Sequence, residues 1–213
     1  MLINTSITRS KGQFSQSFEP PLSLYVKQAI GAARAVNLDL SNACAGMLTG
    51  VFLLQDLISR GEIDCGMVVS GEYISNLSWN AAKQIRSLFS KQLASLTLGD
   101  AGAAVIVERV PGGSGIDVIG YLIPHQTSAR AIRAGTREFV RCLGARPKHV
   151  VVNLEEYGNT SSTTLFVALH KYLEEQRIRK GDRVMLLALA SGIEIGIAIF
   201  TVDSMVDRYG NSH

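Results

Sequence analysis

Residues 35–61, AVNLDLSNACAGMLTGVFLLQDLISRG, decide how this chain is read. The stretch AVNLDLSNA reads as a strand. From Ala45 onward the apolar residues take helical spacing, and Gly61 closes the run as a helix-ending glycine does. Between the two, among Asn, Ala and Gly, lies a single cysteine, Cys44. A strand running straight into a helix is half of a parallel β–α–β unit, so the question becomes whether the rest of the chain continues the alternation.

It does, in both directions. Upstream, MLINTSIT is short, apolar and β-branched, a buried strand, and EPPLSLYVKQAIGA carries prolines suited to a helix start and Gly31 suited to its end. Downstream, CGMVVSGEY is a third strand. The polar stretch from Ile74 to Leu98 reads as a helix with loops, and GAAVIVERV as a fourth strand. PGGSG at 111–115 is the sharpest punctuation in the chain. After it the pattern restarts: IDVIGYLIPH a strand, TSARAIRAGTREFVRCLG a helix ended by Gly144, HVVVNLEEYG a strand, TSSTTLFVALHKYLEEQRI a helix, then DRVMLLALASG and IEIGIAIFTV as two closing strands. The expected architecture is α/β, with mixed sheets carrying helices on their faces. Two related halves, residues 1–110 and 111–213, follow from the repeated element order.

Composition excludes several classes. With 46% apolar and 18% charged residues in 213, the chain has the balance of a globular protein with a real core. The net charge of +3 is scattered, so neither a nucleic-acid groove nor a membrane surface is indicated. The one basic concentration runs from Arg130 to Arg141. No run of about twenty apolar residues exists to span a bilayer. The opening MLINTSITRSKG lacks the apolar core of a secretory signal. Three cysteines, Cys44, Cys65 and Cys142, are an odd number without metal-ligand spacing, which points to free thiols in a reducing, cytoplasmic setting.

Three polar residues sit at strand ends, each with two readings. Cys44 is either a small buried hydrophobe or a nucleophile at a helix N-terminus, where unsatisfied amides and the helix dipole favour thiolate. His125, in LIPHQT, is either a hydrogen-bonded structural imidazole or a ligand-facing group at the carboxyl end of a strand. Asn159, in EEYGNTSSTT, is either a helix cap or a neutral donor to an oxyanion; Thr160 and Ser161 are equally able to cap. Singly these are weak signals. Together they put Cys, His and Asn at the strand ends of one repeating α/β chain, a combination suited to covalent acyl chemistry.

In order, NACAG, LGDAGAAVIVE, IPHQTSARAI, YGNTSSTTLFVAL and GDRVMLLALASG resemble the β-ketoacyl-(acyl carrier protein) synthase III branch of the thiolase superfamily, from about residue 2 to residue 201. The resemblance implies a thiolase-like fold and a role for each residue. Cys44 takes an acyl group from a coenzyme A thioester. His125 and Asn159 bind the second, malonyl thioester and stabilise its enolate in a decarboxylative Claisen condensation. The backbone amides of Cys44 and Ser191 form the oxyanion hole, Ser191 standing where relatives usually have glycine. Arg130 matches a position that docks the acidic acyl carrier protein; otherwise its helix face is simply solvated. The resemblance implies no metal or bound cofactor, and a homodimer paired through the strand before Cys44, with Phe18 near the partner's acyl tunnel. The chemistry is coherent: a thiolate attacks a thioester and later leaves, while neutral donors stabilise charge in a dry pocket.

The chain departs from the family in length. The strand and helix that open each half are missing before LINTSIT and before YLIPHQ. In the family those strands are central in their sheets, so the expectation is bare edges and an exposed apolar face, relieved by a rearranged sheet, an oligomer or a donated strand. Two other classes remain open on these residues. A shortened, non-catalytic subunit would bind a partner synthase or carrier protein without forming an acyl adduct. A cysteine hydrolase would need a histidine base near Cys44 and leaves GNTSS and LGDAGAA unexplained.

Overall fold

The computed structural model describes residues 1–9, 16, 18–87, 90–109, 119–144, 146–192 and 194–209. The PGGSG punctuation and the boundary placed at 110/111 lie outside them.

Among the described residues, eight strands form two sheets of four. The first contains β1 (Leu2–Asn4), β2 (Asn37–Asp39), β3 (Cys65–Glu72) and β4 (Ala101–Glu108), in the order β2-β1-β3-β4. The second contains β5 (Tyr121–Pro124), β6 (His149–Val150), β7 (Arg183–Ala190) and β8 (Glu194–Thr201), in the order β6-β5-β7-β8. In each sheet three strands are parallel and the last is antiparallel. The two halves therefore repeat one topology.

The helices are α1 (Leu22–Ala29), α2 (Gly46–Ser59), α3 (Ser75–Gln84), α4 (Ala129–Leu143), α5 (Leu154–Tyr157) and α6 (Thr164–Glu174). Helix α2 packs on β3, β4 and β8, and α6 on β4, β5 and β7, so both lie between the sheets. That position demands apolar residues nearly all round, which Met47, Leu48, Leu54 and Ile58 of α2 and Leu165, Ala168, Leu169 and Leu173 of α6 supply. One hydrophobic cluster spans both sheets. Helix α1 lies on β1 and β2. Its first turn is preceded by Pro21, whose side chain makes no cap, and Asp39 of β2 supplies the cap by accepting from Leu22 N and Ser23 N at 3.0 and 2.9 Å.

Among the described residues, neither sheet has a gap between neighbouring strands. β1 bonds to β2 on one side and directly to β3 on the other, and β5 does the same with β6 and β7. Of the three remedies the sequence left open for the inner edges, the structure takes the rearranged sheet, because unpaired backbone groups are satisfied most cheaply by the next strand in the sheet. An exposed apolar face lies on the edge strand β8. Alternation along β8 turns Gly196, Ala198 and Phe200 inward, while Ile195 and Ile197 stand 64% and 47% exposed on the outside.

Two further expectations are corrected. The strand read in HVVVNLEEYG spans only His149–Val150 before the chain turns into α5, and that in AVNLDLSNA only Asn37–Asp39. β2 stops where its neighbour β1 ends, at Asn4, whereas β6 stops although β5 runs on to Pro124, because Pro124 has no N–H to donate and Gln126 Nε2 bonds the Val151 carbonyl instead.

Candidate active site

The carboxyl ends of the parallel strands carry the site. After β2 the chain makes a single 3-10 turn, Ala43–Ala45, and enters α2. Ala43 holds a left-handed φ of 42°, unusual for a residue with a side chain, and Cys44 follows it, half-buried. The second half repeats this construction. Thr160 leads into a 3-10 turn, Ser161–Thr163, whose first residue again has positive φ, 57°, and the turn feeds α6. The two turns pack together, and Cys44 Sγ lies 3.7 Å from Ser161 Oγ.

Asn159 is placed by a backbone clamp. Its N–H donates to Thr97 O at 2.6 Å and its carbonyl accepts from Gly99 N at 3.0 Å, joining the loop before β4 to the turn before α6. Only glycine permits this approach. A Cβ on Gly99 would overlap the Tyr157 carbonyl oxygen, and one on Gly158 would lie 2.6 Å from the Thr97 oxygen. The Asn159 side chain accepts from Ser161 N through Oδ1 at 3.0 Å, which directs its Nδ2 donor away from the turn. The capping reading and the donor reading are thus both met, by opposite ends of one amide.

His125 follows β5 and donates its N–H to Leu187 O of β7, the strand against which the Cys44 turn packs. The exit of β5 is locked by Gln126. Its Nε2 donates to Pro124 O and Val151 O, and its Oε1 accepts from Asn153 N. Gln126 carries no local signal in the sequence; its role emerges only from its complete burial. The His125 ring is 2% exposed, and its Nδ1 has no hydrogen-bond partner among the described residues. Burial lowers its pKa to about 4, so the ring is neutral at pH 7.

The unfolded chain protonates His125 near 6.5 and the folded one only near 4, so the unfolded state binds more protons in between. Stability is full above pH 6.5 and falls on acidification towards pH 4, with a slope from this residue of about 1.4 kcal/mol per pH unit. Urea unfolding from about pH 7.5 to about pH 4.5 will show this component in the wild type and lack it in His125→Asn.

Ser191 lies in the β7–β8 turn, exposed, at the same carboxyl edge as His125. Arg130 stands exposed in the first turn of α4, which begins a few residues after β5 ends. Phe18 is exposed beneath the Arg9 guanidinium, 5.6 Å from the ring centroid. A cavity of about 530 Å3 between β4 and α6, and another of about 540 Å3 beside α1, are not lined by Cys44, His125 or Asn159. Among the described residues, no helix is long and apolar enough to cross a membrane.

A family model described as 3-oxoacyl-[acyl-carrier-protein] synthase III matches residues 38–127, and one for the C-terminal part of the same synthase matches residues 113–202. The β-ketoacyl-[acyl-carrier-protein] synthase III of Symbiobacterium thermophilum is 28% identical over 246 residues, covering 83% of this chain and 70% of the relative. The acyl-CoA:acyl-CoA alkyltransferase of Xanthomonas campestris is 25% identical over 260 residues, covering 93% and 74%. Both alignments are longer than this chain's 213 residues, so both relatives carry interior segments that it lacks. Among solved structures, cerulenin-bound OleA from Xanthomonas campestris superposes with a TM-score of 0.77 at 26% identity, over 94% of this chain and 74% of that one.

Proposed function

The chain belongs to the 3-oxoacyl-[acyl-carrier-protein] synthase III family, condensing enzymes of the thiolase type, and from that premise we propose that it is an acyltransferase working through an acyl-Cys44 intermediate. The observation that carries this reading is the Cys44 turn. A half-buried thiol at the head of a helix faces the turn that Asn159 sets, and a neutral His125 stands on the adjoining strand end.

In the first step the Cys44 thiolate attacks the carbonyl of an acyl-CoA. The tetrahedral oxyanion is held by the backbone N–H groups of Cys44 and Ser191. The carbon–sulfur bond to CoA breaks, and CoA leaves as a thiolate that takes up a proton. In the second, a malonyl thioester loses CO2 and the electron pair passes to its α-carbon. His125 and Asn159 Nδ2 donate to the enolate oxygen. The α-carbon attacks the acyl carbonyl, the bond to Cys44 sulfur breaks, and the thiolate is restored. A neutral His125 suits this role, because it donates without adding a charge that acidification would switch.

The malonyl group arrives on an acyl carrier protein that docks on α4. Arg130, Arg133, Arg137 and Arg141 follow one another at spacings of three and four along that helix, all exposed, and form one basic stripe facing away from buried Ile132. The protein pairs as a homodimer through β2, whose outer edge is unpaired within its sheet.

Intact mass after incubation with a panel of acyl-CoAs tests the reading. One acyl increment, absent in Cys44→Ala, is the expected result. A folded protein with no increment for any donor overturns it in favour of a non-catalytic partner subunit.

A further inference from the structure

The described buried carboxyl group nearest the candidate site belongs to Glu72, and the scheme above gives it no task. It ends β3 at 3% exposure, with no ion pair to a described residue. Five donors converge on it: Ile7 N (3.0 Å) and Ser70 Oγ (3.2 Å) on Oε1, Thr8 N (3.1 Å) and Thr8 Oγ1 (3.0 Å) on Oε2, and Ser162 Oγ on Oε1 at 2.6 Å. Ser70 Oγ also lies 2.7 Å from Ser162 Oγ. Four of these groups belong to the first half. The shortest bond reaches into the second half, to the residue after Ser161.

The internal repeat explains why that crossing matters. Ala43 and Ser161 are equivalent first residues of equivalent turns, so Cys44 and Ser162 are equivalent second residues. Cys44 is the candidate nucleophile; Ser162 instead donates its proton to Glu72 in a hydrogen bond. Ser161, between that anchor and the Asn159 clamp, is held in left-handed backbone with its hydroxyl against the Cys44 sulfur. A buried side chain in a sparsely populated conformation persists only when its surroundings over-determine it. Here the surroundings are Asn159 Oδ1 on one side and Glu72 on the other.

We infer that Ser161 is part of the Cys44 site, its hydroxyl donating a hydrogen bond to the Cys44 thiolate, and that Glu72 and Ser162 are positioning residues that fix the turn carrying it. This rests on Cys44 being the nucleophile. No proton is transferred: the hydrogen stays on Ser161 Oγ and stabilises the charged form of the sulfur, which favours thiolate when Cys44 is free and makes it a better leaving group in condensation.

The test is the pH dependence of iodoacetamide alkylation at Cys44. It is followed by peptide mass spectrometry because Cys65 and Cys142 are exposed and will also react. It needs no acyl substrate, so a failure of the acyltransferase reading leaves it intact. Ser161→Ala and Ser161→Gly both remove the hydroxyl, and glycine also relieves the positive φ. Both are expected to move the alkylation curve to higher pH by about one unit, a roughly tenfold slower reaction at fixed pH below the midpoint. Ser162→Ala and Glu72→Gln, with folding checked by circular dichroism, are expected to move it the same way through the turn. If the two Ser161 variants superpose on the wild type, the hydroxyl has no such role. If they shift while Ser162→Ala and folded Glu72→Gln do not, the positioning role of Glu72 is overturned.

Discussion

Asn159→Asp and His125→Asn each retain acylation of Cys44 and lose condensation by about 10²–10³-fold, the usual effect of removing one donor to a developing oxyanion. The Asn159→Asp variant separates the two jobs of the native amide. Asn159 Oδ1 accepts from Ser161 N, and a carboxylate keeps that acceptor, so the turn stays in place. What disappears is the Nδ2 donor, replaced by a second acceptor carrying charge that repels an enolate. His125→Asn keeps a neutral polar group at a site that is almost fully buried but shortens its reach. Quantifying acyl-Cys44 by mass and the condensation product by chromatography gives the two steps separately. Equal loss of both in either variant would mean that the residue supports the turn or the fold and not the enolate.

Gly99→Ala will be the most disruptive single methyl addition at the described glycines flanking the site. Its Cβ would overlap the Tyr157 carbonyl oxygen, and backbone cannot swing aside as a flexible side chain can. Relief requires parting the Gly99 N–Asn159 O and Asn159 N–Thr97 O bonds, the clamp that places Asn159. The expected loss is about 3 kcal/mol or more. For a chain of this size that is roughly 6–12 °C in Tm, with condensation lost even in the fraction that folds. Gly135→Ala is the control. Nothing lies within 4 Å of its added Cβ, and in the interior of α4 the change will leave Tm unchanged or raise it. Thermal melts of the two variants decide the matter; a Gly99→Ala protein as stable as the wild type would mean that the two loops are not held in register by this contact.

The fold was largely legible because its elements carry local signals. The helical spacing after Cys44, the closing Gly61 and Gly144 and the paired closing strands each depend on a few neighbouring residues. The strand in HVVVNLEEYG is shorter than its apolar run because Pro124 of β5, more than twenty residues upstream, has no N–H to continue the ladder and Gln126 bonds the Val151 carbonyl in its place. The sequence left three arrangements of the sheets open, a rearranged sheet among them, and only three-dimensional pairing selects one.

Residue types and order thus determined, by themselves, that the chain is α/β, that it repeats, and that Cys44 and His125 stand just past strand ends, since periodicity and turn chemistry are short-range properties; Asn159, which the sequence also places after a strand, instead follows α5. Tertiary structure alone decided three things. Gly99 and Gly158 face one another across two loops. His125 is buried deeply enough to be neutral. Ser161 meets the Cys44 sulfur while Glu72 anchors the next residue along. Each is a contact between residues tens of positions or more apart, set by the packing of two sheets around α2 and α6, and no local pattern encodes such a distance.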